Sequence, residues 1–240
     1  TLLFGYIATH GINPALQKLR YDPVADFAPI GLMGHSPTLL VVPSELAVQS
    51  VEDLVRMLRQ SPARLSYASA GDGTVPHVAA ELFKLQTGTR MQRVDYAGGA
   101  PAIADLANGL VQVMFPSLYT AQPYLRSGKV RALAIAGADR ISAFPELPTL
   151  VEAGVPGVEL TQWYALFAPS KTPASVVRQL NAMLNQVLQE PDTVARMQAD
   201  GAHVQTSSPG ELHDLLMSES EKWQSVVLQA GLKSESTVDL

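Results

Sequence analysis

The stretch Leu65-Ser66-Tyr67-Ala68-Ser69-Ala70-Gly71-Asp72-Gly73-Thr74-Val75-Pro76-His77 reads as a buried strand, a glycine-rich turn and the start of a helix. The helix follows from Val75, Val78, Ala79, Leu82 and Phe83, which recur at helical spacing. Thr74 stands at the N-cap position, where its hydroxyl can accept a bond from a first-turn amide, and Pro76 suits a first turn that needs no N–H there. Gly71 and Gly73 let the backbone approach a ligand closely. The unpaired amides of the helix start then make the turn receptive to anions. A phosphate loop would need a lysine after the second glycine, and a dinucleotide fingerprint would need a glycine where Pro76 stands. Taken alone, the turn reads as an ordinary strand-to-helix connection, so a ligand site requires a partner.

That partner is Tyr96-Ala97-Gly98-Gly99-Ala100-Pro101, a second glycine-rich turn between the strand Met91–Tyr96 and a helix with Ile103, Leu106 and Leu110 on one side. The two strands are separated by one helix, so the two helix starts can lie side by side beyond the strand ends, where open α/β sheets bind ligands.

Strands and helices alternate on either side of this pair. Leu2–Ile7, Ile30–Met33, Thr38–Val42, Val111–Phe115 and Val130–Ala136 read as strands, with a polar turn at 9–14. Ser50 caps a helix carrying Val51, Leu54, Val55 and Leu58, and Thr149–Ala153 reads as a short helix stopped by Gly154. After Pro169 the composition changes to a long amphipathic helix over 173–190 and a shorter one over 192–200 that Gly201 ends. A final helix begins at the capping box Ser208-Pro209-Gly210-Glu211 and stops at Gly231, and the polar residues beyond it read as frayed. The alternation predicts an α/β fold with largely parallel sheets.

Composition bounds the function. The 240 residues are 47% hydrophobic, which is ample for a core. A net charge of −5 without any lysine or arginine cluster argues against nucleic acid and anionic membranes as partners. Zero cysteines exclude disulfides and thiolate metal sites, and the five histidines lack ligand spacing, so no metal or cofactor is expected. Ser69, His77 and Asp105 make a hydrolase triad on paper, but Tyr-Ala-Ser-Ala-Gly lacks the first glycine of a nucleophile elbow.

Several motifs together carry a resemblance that covers essentially the whole chain. They are Thr9-His10-Gly-Ile-Asn13-Pro14, Tyr21-Asp22-Pro23-Val-Ala-Asp26-Phe27, the two glycine-rich turns, Phe144-Pro-Glu-Leu-Pro148-Thr149 and Trp163-Tyr-Ala-Leu-Phe-Ala-Pro169. The chain resembles the extracytoplasmic solute receptors of tripartite tricarboxylate transporters, the Bordetella-type group. The resemblance implies a two-lobed periplasmic binding protein fold of type II-like form with two crossing hinge strands. Domain I would be residues 1–43 and 161–240, and domain II residues 44–160. It further implies a periplasmic, monomeric receptor that captures a small mono-, di- or tricarboxylate in a cleft between the lobes and passes it to membrane transporter subunits. It implies no enzymatic activity. The residues expected at the ligand are Ser69, Gly71, Gly73, Thr74, Tyr96, Gly99, Ala100 and Ser117 from domain II, facing Thr9, His10 and Trp163 from domain I. The competing classes are a ligand-sensing or signalling domain on the same fold and an α/β enzyme acting on a carboxylic acid.

Two departures from the family pattern carry expectations of their own. The family places a leader, a strand, a glycine-rich loop and two helices before the strand at Leu2, so the chain reads as shortened or processed, with domain I incomplete at its N-terminus. Pro116 and Ser117 stand where the family commonly has an acidic residue and asparagine. Without that carboxylate, which is suited to an ammonium group, a plain carboxylic acid is expected over an amino acid.

Overall fold

In a computed structural model that describes residues 1–232, the chain divides into two compact units. One comprises Thr1–His35 and the chain from Gln162 onward, and the other is Ser36–Thr161. The frayed tail expected after Gly231 lies, from residue 233, outside the described residues.

The first unit opens with β1 (Leu3–Tyr6), a five-residue π-helical stretch Ala8–Ile12, α1 (Asn13–Leu16) and β2 (Phe27–Pro37). The expected polar turn at 9–14 is therefore helical. Its apolar members explain why: Ala8 and Ile12 are fully buried and hold that segment in the core.

Ser36–Thr161 contains β3 (Leu39–Pro43), α2 (Val51–Gln60), β4 (Ser66–Ser69), α3 (Val75–Thr87), β5 (Gln92–Asp95), α4 (Gly99–Ala107), β6 (Val113–Met114), α5 (Leu118–Arg126) and β7 (Val130–Ile135). Its sheet runs β5-β4-β6-β3-β7. β4 is parallel to both β5 and β6, because α3 and α4 provide the crossovers that parallel strands need. β3 runs antiparallel to β6 and β7, so the sheet is mixed rather than largely parallel. Thr149–Ala153 makes only a reciprocal turn, in which Glu152 N–H donates to Thr149 Oγ1 at 3.1 Å and Thr149 N–H to Glu152 Oε2 at 2.8 Å. Gly154, at φ 81°, ends it before a helix can propagate.

The helices lie on opposite faces of this sheet. Successive strand residues point to opposite sides. Tyr67 of β4 donates its hydroxyl to Glu81 of α3 at 2.5 Å, and Phe83 of α3 meets Phe115 at a centroid distance of 5.7 Å. The neighbouring Ala68 and Met114 instead belong to a buried cluster with Ile103 and Leu106 of α4 and Leu118 of α5. α3 therefore covers one face, and α4 and α5 cover the other. Helices leave adjacent strands β4 and β6 to opposite sides, which defines a topological switch point at the strands' C-terminal ends.

The first unit resumes with β8 (Thr161–Pro169), α6 (Ala174–Leu188), α7 (Pro191–Ala199), β9 (His203–Val204) and α8 (Pro209–Ala230). Its sheet order is β1-β8-β2-β9, with β1 antiparallel to β8 and β9 antiparallel to β2. α8 begins at the full capping box of Ser208 and Glu211 and ends at Gly231 in the left-handed conformation. Leu212, Leu216, Trp223 and Val227 form its buried stripe.

Candidate functional site

The two glycine-rich turns start at the same level. Ser69 pairs with Asp95 in the β4–β5 ladder, and Tyr96 N–H donates to Ser69 O at 2.9 Å. Beyond this bond the chain runs into α3 on one side and α4 on the other.

In the first turn the hydroxyls are engaged locally. Ser69 is fully buried, and its Oγ accepts the Gly71 N–H at 3.1 Å. The Thr74 hydroxyl donates to Gly71 O at 2.7 Å and makes no bond to the first helical turn. This corrects the expected capping role: the carbonyl three residues back takes the hydroxyl's hydrogen, and the loop is closed instead. Gly71 and Gly73 adopt φ of 108° and 67°, a region that favours glycine. The Gly73 amide nitrogen lies 3.2 Å from His77 Nδ1.

The second turn has no side-chain cap at all, with Gly98 at the N-cap position of α4. Gly99 lies beside α5, since a Cβ built on it would sit 3.6 Å from Thr120 Cγ2, an ordinary contact. Tyr96 packs against the α4–α5 cluster. Its phenol is held above the usual value, first by burial and then by its hydrogen bond to the Asp105 carboxylate. The third helix start is different. Ser117 is buried and caps α5, accepting from Thr120 N–H at 3.2 Å.

Two uncapped helix starts and one capped start thus gather at the C-terminal ends of β4, β5 and β6. Uncapped starts expose N–H donors and the positive end of the helix dipole. The cation beside them, Arg93, is committed to Asp72 and Asp95 at 2.7 Å each. An arrangement of this kind can meet an anion through backbone donors. The triad sketched on paper is not assembled. His77 faces Gly73 and Arg93, and Asp105 is the partner of Tyr96.

The remaining expected residues lie in the first unit. Thr9 Oγ1 receives Tyr6 N–H at 3.1 Å, donates to Tyr6 O at 3.0 Å and contacts His10 Nδ1 at 2.8 Å. His10 is 1% exposed and stacks on Phe167 at 4.2 Å, and burial pushes its pKa down to about 4. Trp163 is also buried, its indole N–H donating to Glu219 Oε2 at 3.3 Å. Glu219 receives the Trp223 indole as well, at 2.9 Å. Arg93 and Asp95 were missed by sequence reasoning. The signal available was their position on the strand beside the first turn, together with Asp72 within it.

Known proteins share this architecture. The family model described as "Tripartite tricarboxylate transporter family receptor" matches residues 1–232. A protein from the tcbD–tcbE intergenic region of a Pseudomonas species is 36% identical over 218 residues, covering 90% of this chain. This chain spans 65% of that relative's length. An R. palustris protein solved with adipate superposes with a TM-score of 0.91 at 34% identity, covering 96% of this chain and 78% of that one. MatC from Rhodopseudomonas palustris, solved with bound malate, gives a TM-score of 0.89 at 34% identity over 95% of this chain and 79% of that one.

Proposed function

The chain belongs to the tripartite tricarboxylate transporter receptor family, a family of periplasmic solute receptors, and on that footing we propose that it binds a small dicarboxylate whose charge is met by the helix starts of α3 and α4. The observation that carries this reading is the pair of uncapped helix starts on neighbouring parallel strands, with the adjacent Arg93 committed to Asp72 and Asp95. Several charge-assisted bonds from backbone amides can replace a guanidinium, and bridging water lets one frame accept related acids. Gly71, Gly73, Thr74, Gly99 and Ala100 supply the backbone of this half of the site, with Ser69, Tyr96 and Ser117 holding its shape. The unit Ser36–Thr161 takes the role expected of domain II.

The adipate and malate seen in two similar structures belong to the ligand class that this geometry accepts. Pro116 and Ser117 provide no carboxylate for an ammonium group, which favours a plain acid over an amino acid. The chain acts as a periplasmic receptor that delivers unchanged ligand to membrane transporter subunits, without catalysis. A thermal-shift panel of adipate, malate, succinate, aspartate and glutamate tests this. Stabilisation by the plain acids is expected, and stabilisation by the amino acids alone would overturn it.

A further inference from the structure

His77, at the third position of α3, is held at both ring nitrogens by donors. Nδ1 lies 3.2 Å from the Gly73 amide nitrogen, and Nε2 lies 3.1 Å from Arg93 Nη1. An amide N–H and a guanidinium offer hydrogens only, whereas a neutral imidazole has one hydrogen and one lone pair. It can therefore receive one of the two. A protonated ring could receive neither, and both burial and the Arg93 charge keep the ring neutral against the opposing charges of Glu81, Asp72 and Asp95.

Arg93 has the stronger claim on the lone pair. Its bond is charge-assisted, roughly twice as strong as a neutral one. It is also clamped in place, with Nη1 2.7 Å from Asp72 Oδ1, and Nη2 and Nε each 2.7 Å from Asp95 Oδ1. Nε2 then accepts from Arg93, and the ring hydrogen resides on Nδ1. Two donors, Nδ1–H and the Gly73 N–H, are left facing each other 3.2 Å apart. An oxygen about 2.9 Å from each nitrogen would satisfy both.

We propose that Arg93 fixes His77 as its Nδ1–H tautomer, and that this N–H and the Gly73 amide together hold one carboxylate oxygen of the ligand. The second half of this assignment rests on the carboxylate reading above. His77 is then a ligand contact rather than a helix-packing residue, and Arg93, Asp72 and Asp95 are positioning residues. Through the polarised ring, a cation already neutralised by two aspartates still strengthens the donor offered to the anion.

The tautomer is read without ligand, by long-range proton–nitrogen correlation on the labelled chain, with His77 assigned from the signal lost in His77→Gln. A pyridine-type Nε2 and a protonated Nδ1 are expected, and the reverse overturns the Arg93 assignment. The contact is tested by calorimetry with adipate and malate. His77→Asn can place an amide N–H near the position of Nδ1, and binding within about threefold of the parent is expected. His77→Gln reaches toward Nε2 instead and should weaken binding roughly tenfold, with both variants melting alike. Equal losses, or no loss in either, overturn the cradle. Arg93→Gln should shift the ring hydrogen to Nε2 and weaken binding, and an unchanged tautomer contradicts the positioning role. If neither acid binds the parent chain, the carboxylate reading and the cradle fall together, while the ligand-free spectrum still decides the tautomer.

Discussion

Gly99 separates folding from binding at a single position. Among the described residues nothing excludes a methyl group there, because the nearest atom to an added Cβ outside its own helix turn would be Thr120 Cγ2, 3.6 Å away. Gly99→Ala should therefore leave stability unchanged or raise it by about 0.5–1 kcal/mol, while crowding a ligand at the start of α4 and lowering affinity. Denaturant melts and calorimetry with adipate or malate check the two halves independently. His10 makes a second residue-level prediction. Burial lowers its pKa to about 4 from an ordinary 6.5. Above pH 6.5 folded and unfolded chains are both neutral there. As pH falls toward 4 the unfolded chain takes up a proton that the folded chain refuses, so stability is lost across that interval, by about 3 kcal/mol in full. A proton titration of the His10 ring in the folded chain should show a midpoint near 4, and a midpoint above 6 would contradict it. Residue types alone located both glycine-rich turns. They could not show that the Ser69 and Thr74 hydroxyls are engaged by Gly71, because the Thr74 hydroxyl stood equally well placed to cap α3, and only the positive φ angles of the loop decide which group is within reach.

At the scale of elements, apolar periodicity and capping residues marked most helices. Ser50 and Ser208 cap as their neighbours Asp53 and Glu211 suggest, and Gly88 and Gly231 close α3 and α8 in the left-handed conformation. Strand direction was not legible, because antiparallel and parallel partners draw on the same Val, Leu and Ala residues, and β3 joins its sheet opposite to its neighbours β6 and β7. Nor could the short runs at 111–115 and 149–153 be assigned by length. The first contributes only Val113 and Met114 to the ladder, and the second ends at Gly154 after one turn. The β2–β9 pairing depends on a glycine that periodicity does not register. A Cβ on Gly34 would stand 2.3 Å from the backbone oxygen of His203. Gly34→Ala must push β9 away, and a loss of about 1–3 kcal/mol in urea unfolding is expected. An unchanged midpoint would show that β9 can shift freely.

For the molecule as a whole, the family was recognisable because motifs from several separate loops occur together in the right order, and the match over residues 1–232 agrees with that reading. The candidate site was less legible. Sequence places Gly71–Thr74 and Gly98–Ala100 at helix starts, but their alignment at one level depends on the Ser69–Asp95 register, which no local signal encodes. A surface hollow of about 650 Å³ lies elsewhere on Ser36–Thr161, lined by Val55, Arg59, Gln86 and Val155 among others, and shares no residue with the turns. It offers a concrete alternative location for a bound acid. The discriminating measurement is a titration of the labelled chain with adipate and with malate, followed through backbone amide shifts. The largest changes are expected on Gly71, Gly73, Gly99 and Ala100. Changes centred on Arg59 and Gln86, or no saturable change with either acid, would contradict that expectation.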